Sequence, residues 1–105
     1  MPIQQNVSGD CHELIVSGRI DGAVANEMEV QVLNAIKAGA KEIFINLSES
    51  DFLCSSGIRV IMQYWRQLKG QGKRLMVTRP SPAINDILTM TGFRESIVEN
   101  ASARA

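Results

Sequence analysis

Residues 13–16 form a short apolar run, and the turn-prone segment SGRIDG closes it. A strand is expected there, with a weaker one over residues 3–7 and a Gly9-Asp10 turn joining the two as a hairpin. Over residues 23–38 the period changes to a helical one. Val24, Ala25, Met28, Val32, Ala35 and Ile36 fall on one stripe, Asn26, Glu27 and Gln31 fall elsewhere, and Gly39 supplies a stop. The segment EIFINL, residues 42–47, then places bulky side chains on both parities. That is the pattern of a strand covered on both faces, as in a sheet with helix layers. Ile58, Ile61, Met62, Trp65 and Leu68 recur at steps of three and four and predict a second helix ending near Gly70. RLMVT, residues 74–78, is a further strand. Ser81 can cap a third helix whose first position suits Pro82; Ile84, Ile87, Leu88 and Thr91 line it and Gly92 closes it. Ile97 and Val98 are expected to form a last short strand.

The resulting order is β-β-α-β-α-β-α(-β), an α/β chain with one mixed sheet, parallel in its core, carrying a hairpin at one side and helices packed against it. No repeat, linker or low-complexity segment divides the 105 residues, so one domain over 1–105 is expected. Hydrophobic content of 45% with 21% charge suits a soluble globular protein and not a disordered one. Eleven basic residues balance eleven acidic ones. That neutrality gives no electrostatic pull toward nucleic acid or anionic lipid, and neither is expected as a partner. The opening MPIQQNVSGD has no basic and apolar signal regions, and no apolar run approaches the ~20 residues of a membrane span. Cys11 and Cys54 lie far apart without CxxC spacing, which reads as two reduced thiols in a cytoplasmic protein.

The densest candidate chemistry lies in SDFLCSSGIRVIMQYW, residues 50–65. Ser55 or Ser56 can be the N-cap of the second helix, a contact that stabilises by about 1 kcal/mol. Arg59 fits that role poorly, because in a first turn its charge opposes the helix dipole where a capping box would place Glu or Gln. A serine hydrolase would need G-x-S-x-G, but Leu53 or Cys54 stands at the first glycine. The sole histidine, His12, lies on the distant hairpin, where a surface or edge position is expected. CSSGIR, residues 54–59, has the form C-x-x-G-x-R and resembles the active loop of rhodanese-like sulfurtransferases. A thiolate at a helix N-terminus has a lowered pKa, and backbone N–H groups with Arg59 could cradle an anion. Against this, SESD interrupts the strand that should run into the cysteine, and the longer tyrosine-phosphatase loop, C-x5-R, does not fit. A third reading is a modification switch. A phosphate on a serine here would gain from the dipole and from Arg59 as counter-ion. On a docking surface, a desolvation cost of only ~3 kcal/mol would weaken binding about a hundredfold.

Three segments, in order, resemble the STAS domain, and specifically the free-standing bacterial anti-sigma factor antagonists. VSGRIDGAVANEME resembles the family's G-x-(apolar)-D element leading into the first helix. INLSESDFLCSSGIRVIMQYWRQLKGQGKRLMV resembles its strand, its D-S-S-G-(apolar) junction, second helix and next strand. SPAINDILTMTGF resembles its third helix and closing glycine. The resemblance implies that the unphosphorylated protein binds an anti-sigma factor that is also a serine kinase with bound ATP, which frees the sigma factor. The kinase then phosphorylates the second serine of the motif, Ser56, and the complex dissociates. A metal-dependent serine phosphatase reverses the step. Asp21, Cys54, Ser55, Gly57 and Arg59 are the implied neighbours of that serine, and the protein needs no catalytic residue, metal or cofactor of its own. Cys54 departs from the pattern, since the family usually has Asp there; this also admits a non-switching STAS scaffold or regulatory subunit. Asp21 is then the remaining acidic group near the serine, or simply the cap of the first helix. Met28, Met62, Met76 and Met90 follow core spacing. Of adjacent Tyr64 and Trp65 one is expected inside, and an exposed Tyr64, Arg66 or Arg59 could join a partner surface.

Overall fold

The computed structural model describes residues 2–99. Strands β1 (Ile3–Ser8) and β2 (Cys11–Val16) pair antiparallel, with Ser8 opposite Cys11 and Gly9 at φ +60° in the two-residue turn. Beside β2 lie β4 (Glu42–Asn46) and β6 (Arg74–Thr78), both parallel to it, giving the sheet order β1-β2-β4-β6. Each parallel step is bridged by a 16-residue helix, α1 (Gly22–Lys37) and α2 (Ser55–Gly70). Right-handed crossovers running in one direction along a sheet place both helices on the same face. The side chains agree. Leu14, Val16, Ile43, Ile45, Leu75 and Val77 alternate along the strands and join Ala25, Met28, Val32, Ala35, Ile61 and Leu68 in one buried core.

This corrects the expectation of helix layers on both faces of residues 42–47. Ile43 through Leu47 are all buried, but Phe44 stands outside the apolar core. Arg74 covers its ring, the guanidinium carbon 5.3 Å from the centroid, and is itself held by Glu42 and Glu99. The cover on that face is therefore partly ionic.

Two short strands were not foreseen. β3 (Gly18–Ile20) and β5 (Ser50–Leu53) pair in parallel as a separate two-stranded sheet, with a register irregularity between Gly18 and Arg19. The residues of β3 had read as part of the turn SGRIDG, and SESD, which overlaps the start of β5, as a break in the strand leading to the cysteine. Two serine hydroxyls anchor this small sheet: buried Ser50 Oγ donates to Val16 O of β2 at 2.6 Å, and Ser81 Oγ, beyond the end of β6, donates to Ser50 O at 2.6 Å. Ser81 also accepts from Ile84 N as the expected cap of α3 (Pro82–Thr91), with Pro82 leading the helix. Gly92 ends α3 in the left-handed region, φ +80°, and Gly39 follows α1 at φ +88°. The final strand expected at Ile97 is instead the end of a helical turn, α4 (Arg94–Ile97); only Val98 bridges to Val77.

Several side-chain expectations also change. Tyr64 is 4% exposed and Trp65 only half-buried, so an exposed Tyr64 is ruled out. His12 is not a surface residue: it is 6% exposed on β2, its Nδ1 3.2 Å from Gln5 Nε2. Met28 and Met62 are buried, whereas Met90 is 87% exposed despite its spacing. No helix among the described residues is long and apolar enough to cross a membrane.

Candidate functional site

The segment before α2 is strand rather than loop. β5 delivers Leu53 into the core beside Ile20, and Cys54 N donates to Ile20 O at 3.0 Å. The helix begins one residue earlier than a serine cap would require. Cys54 is the N-cap, with extended backbone (φ −76°, ψ 169°) and no side-chain capping hydrogen bond; Ile58 N closes the first helical bond onto Cys54 O at 3.1 Å. Ser55 and Ser56 are therefore N1 and N2, and neither is the cap. The same shift places Arg59 in the second turn, which removes its conflict with the dipole at the first.

Ser55 is exposed and Ser56 half-buried. Ser56 Oγ lies 3.0 Å from Cys54 Sγ. Burial pushes the Cys54 thiol up, but the Ser56 hydroxyl and the backbone N–H groups of Gly57, Ser56 and Cys54 outweigh it and hold the thiol below its usual value. The N-terminal amides that a capping oxygen would have taken thus favour negative charge at sulfur.

Gly57 fixes where the helix starts. A Cβ at this position would sit 2.6 Å from Leu53 Cδ1 and 3.3 Å from Ile20 Cγ2, so the first turn of α2 lies directly on the β3–β5 pair. Glycine allows that approach without displacing the Leu53 side chain, which any added Cβ would have to push aside. Sequence reasoning named Gly57 only as part of the motif; its packing role depends on β3, which went unseen.

The remaining sequence-predicted residues divide. Asp21 follows Ile20 as Cys54 follows Leu53, and Ile20 pairs with Leu53, so the β3–β5 register brings the starts of α1 and α2 side by side. The Asp21 carboxylate caps its own helix, Oδ1 accepting from Val24 N at 3.0 Å. Arg59 is exposed and shares a helix face with Ser56 through their three-residue spacing, while its charge also reaches the Tyr64 hydroxyl. His12 lies at the far end of the parallel strands, opposite Ile43, and does not join the serines. Among the described residues no group of three or more His, Cys, Asp or Glu could hold a metal ion.

Comparison with known proteins extends this picture over the whole chain. A family model described as the STAS domain matches residues 3–105. A relative from Bordetella bronchiseptica, BtrV, named as an anti-sigma factor antagonist, is 22% identical over 78 residues, covering 74% of this chain and 67% of that one. The anti-sigma factor antagonist SpoIIAA in its unphosphorylated form superposes with a TM-score of 0.80 at 20% identity, over 97% of this chain and 91% of that one. Bacillus SpoIIAA in its phosphorylated form gives 0.75 at 22% identity, over 94% and 90%. At such identities the superpositions speak to the fold.

Proposed function

The chain belongs to the STAS domain family, and we propose that it is an anti-sigma factor antagonist switched by phosphorylation of Ser56. Its partner is a kinase-type anti-sigma factor, bound while Ser56 is unmodified, and a metal-dependent phosphatase resets the switch. The carrying observation is the position of Ser56. Its hydroxyl sits at N2 of a 16-residue helix, half-buried beside Cys54, on a first turn clamped to the β3–β5 pair. A phosphate there adds a charge of about −1.5 to −2 where helix amides favour anions. The modification is therefore tolerated by the fold while it changes the surface offered to a partner. Two related names support the reading: both SpoIIAA and BtrV are named as antagonists, and SpoIIAA exists in a phosphorylated form. This role asks for no catalytic group in the chain itself.

The test is intact-mass spectrometry after incubation with the cognate kinase and ATP. One added phosphate is expected, absent in Ser56→Ala, and Ser56→Asp should weaken partner binding by about a hundredfold. Absence of labelling by a kinase shown to bind the protein would leave a non-switching STAS scaffold. Formation of thiocyanate from thiosulfate and cyanide, lost in Cys54→Ser, would replace the regulator by a sulfurtransferase.

A further inference from the structure

β1 is an open edge of the four-stranded sheet. The opposite edge, β6, is covered: Val98 bridges to Val77, Glu99 N donates to Val77 O at 2.8 Å, and exposed Arg74 is paired with Glu42 and Glu99. β1 has none of the usual protections of an edge strand. Its sequence, IQQNVS, holds no charged residue and no proline. Its register with β2 runs from Ile3 to Ser8 without a bulge, and Gln4 through Ser8 are all exposed. We propose that β1 pairs antiparallel with β1 of a second copy of this chain, joining two four-stranded sheets into one.

Hydrogen-bond parity fixes which backbone groups are on offer. Ser17 N donates to Pro2 O at 2.7 Å, and the hairpin closes at Ser8 and Cys11. Bonded and non-bonded pairs alternate in an antiparallel ladder, so Pro2, Gln4, Asn6 and Ser8 bond inward to β2. The N–H and C=O groups of Ile3, Gln5 and Val7 therefore point outward. Two such strands match about a twofold axis at Gln5. Gln5 then faces Gln5 of the second copy, Ile3 faces its Val7, and Val7 faces its Ile3. These pairs exchange about six main-chain hydrogen bonds.

The side chains select a second copy as the occupant. Opposed residues in an antiparallel pair share a face, so Val7, opposite His12, lies on the side where His12, Leu14 and Val16 are buried. Val7 is nonetheless 59% exposed, an apolar side chain on the core side of the sheet that neither helix covers. In the proposed register each Val7 packs beside Ile3 of the other copy, which continues the apolar row of the core across the junction. On the reverse face Gln4 meets Asn6, and no like charges are opposed along the strand. A twofold makes the patch its own complement, as a closed dimer requires. Because α2 packs against β6, pairing through β1 leaves the Ser56 junction open to a different partner.

Sedimentation equilibrium of the full chain over about 0.01–1 mM, the range suited to a small interface, tests this. A reversible dimer is expected. In a mixture of labelled and unlabelled chains, isotope-filtered NOE spectra should show an Hα–Hα contact between Gln4 of one copy and Asn6 of the other, because such non-bonded pairs bring Cα atoms to about 4.5 Å. Val7→Lys should weaken the dimer by about tenfold or more, since it sets an ammonium group against Ile3. Its melting temperature in dilute solution should stay that of the wild type, because Val7 is exposed in the single chain. Val7→Ile, which keeps the apolar contact, should leave the dimer intact. A chain that stays monomeric at about 1 mM, a dimer equally strong in Val7→Lys, or intermolecular contacts confined to other elements would each overturn the proposal.

Discussion

Tyr64 gives the sharpest test of how α1 and α2 are held together. Its hydroxyl donates to Glu29 Oε2 at 2.6 Å, joining the two helices across the core, and its ring is almost wholly buried. Burial pushes its pKa up to about 12; the hydrogen bond to the Glu29 carboxylate and that group's charge act the same way, and Arg59 opposes them. A rise from about 10 to about 12 corresponds to about 2.7 kcal/mol of preference for the neutral phenol in the fold. Because the folded value lies above the unfolded one, that stability is fully present below pH ~10 and is lost as pH climbs toward ~12. By pH ~11 the wild-type protein should have lost about 1.4 kcal/mol from this group.

Tyr64→Phe keeps the ring and removes the hydroxyl. A hydrogen bond to a charged acceptor contributes about 1.5–3 kcal/mol, and half-buried Glu29 can recover water, so a loss of about 1.5 kcal/mol is expected at pH 7. For a domain of this size that lowers the melting temperature by roughly 6–12 °C. The variant has no phenol to ionise, so the two proteins should approach equal stability near pH ~11. Urea unfolding at pH 7, 9 and 11 measures this directly. Tyr64 is the only tyrosine, so tyrosinate absorbance reports it without interference, and Glu29→Gln should move its midpoint down. A midpoint near 10 in the native protein, or equal stabilities of the two proteins at pH 7, would refute the reasoning.

Gly57→Ala places a methyl group against Leu53 and Ile20; overpacking of about 1–3 kcal/mol outweighs a helix-propensity gain of up to about 1 kcal/mol, so thermal unfolding should show a net loss of about 1 kcal/mol. Ser81→Ala removes both the α3 cap and the bond to Ser50 O, and a loss of about 1–2 kcal/mol in urea is expected, exceeding the ~1 kcal/mol of Asp21→Ala, which removes a cap alone. In a Cys11→Ser background, the pH profile of iodoacetamide alkylation should show Cys54 ionising below the usual thiol value of ~8.5, and Ser56→Ala should move that midpoint up; an unchanged midpoint would remove the Ser56 hydroxyl from the account.

The parts of the fold legible in the sequence were those with enough residues to show a period. The α1 stripe supplied six apolar positions at helical spacing, and four of them, Ala25, Met28, Val32 and Ala35, are buried. Ser81-Pro82 and Gly92 marked the ends of α3 by local chemistry alone. β3 and β5 have three and four residues, too short for alternation to stand out, and each becomes a strand only by pairing with the other. Tertiary context also decided the side chains. His12 sits on a strand flanked by two others, which buries a residue that local sequence places at the surface. Met90 has core spacing, but it lies on a helix with buried residues only at Ile84 and Leu88. β1 becomes an edge only through the order of the sheet, and no local motif announces it.

The junction at α2 shows why the missing strands matter most for function. Without β3, Ser55 or Ser56 looked like a cap, Gly57 like a motif residue only, and Arg59 like a misplaced charge. With β3 beneath the helix start, Gly57 packs closely on Leu53 and Ile20, so the first turn of α2 lies directly on the β3–β5 pair. Under the proposed switch, a phosphate added at half-buried Ser56 would act on the surface beside this junction as charge. The sulfur of Cys54 already draws on the same amides, which hold its pKa below the usual thiol value. A phosphate on Ser56 Oγ, 3.0 Å from Cys54 Sγ, would add negative charge beside the sulfur and remove the hydroxyl proton that favours its ionised form. Under the proposed switch, phosphorylation of Ser56 should therefore raise the Cys54 pKa, and the same alkylation profile measures that shift.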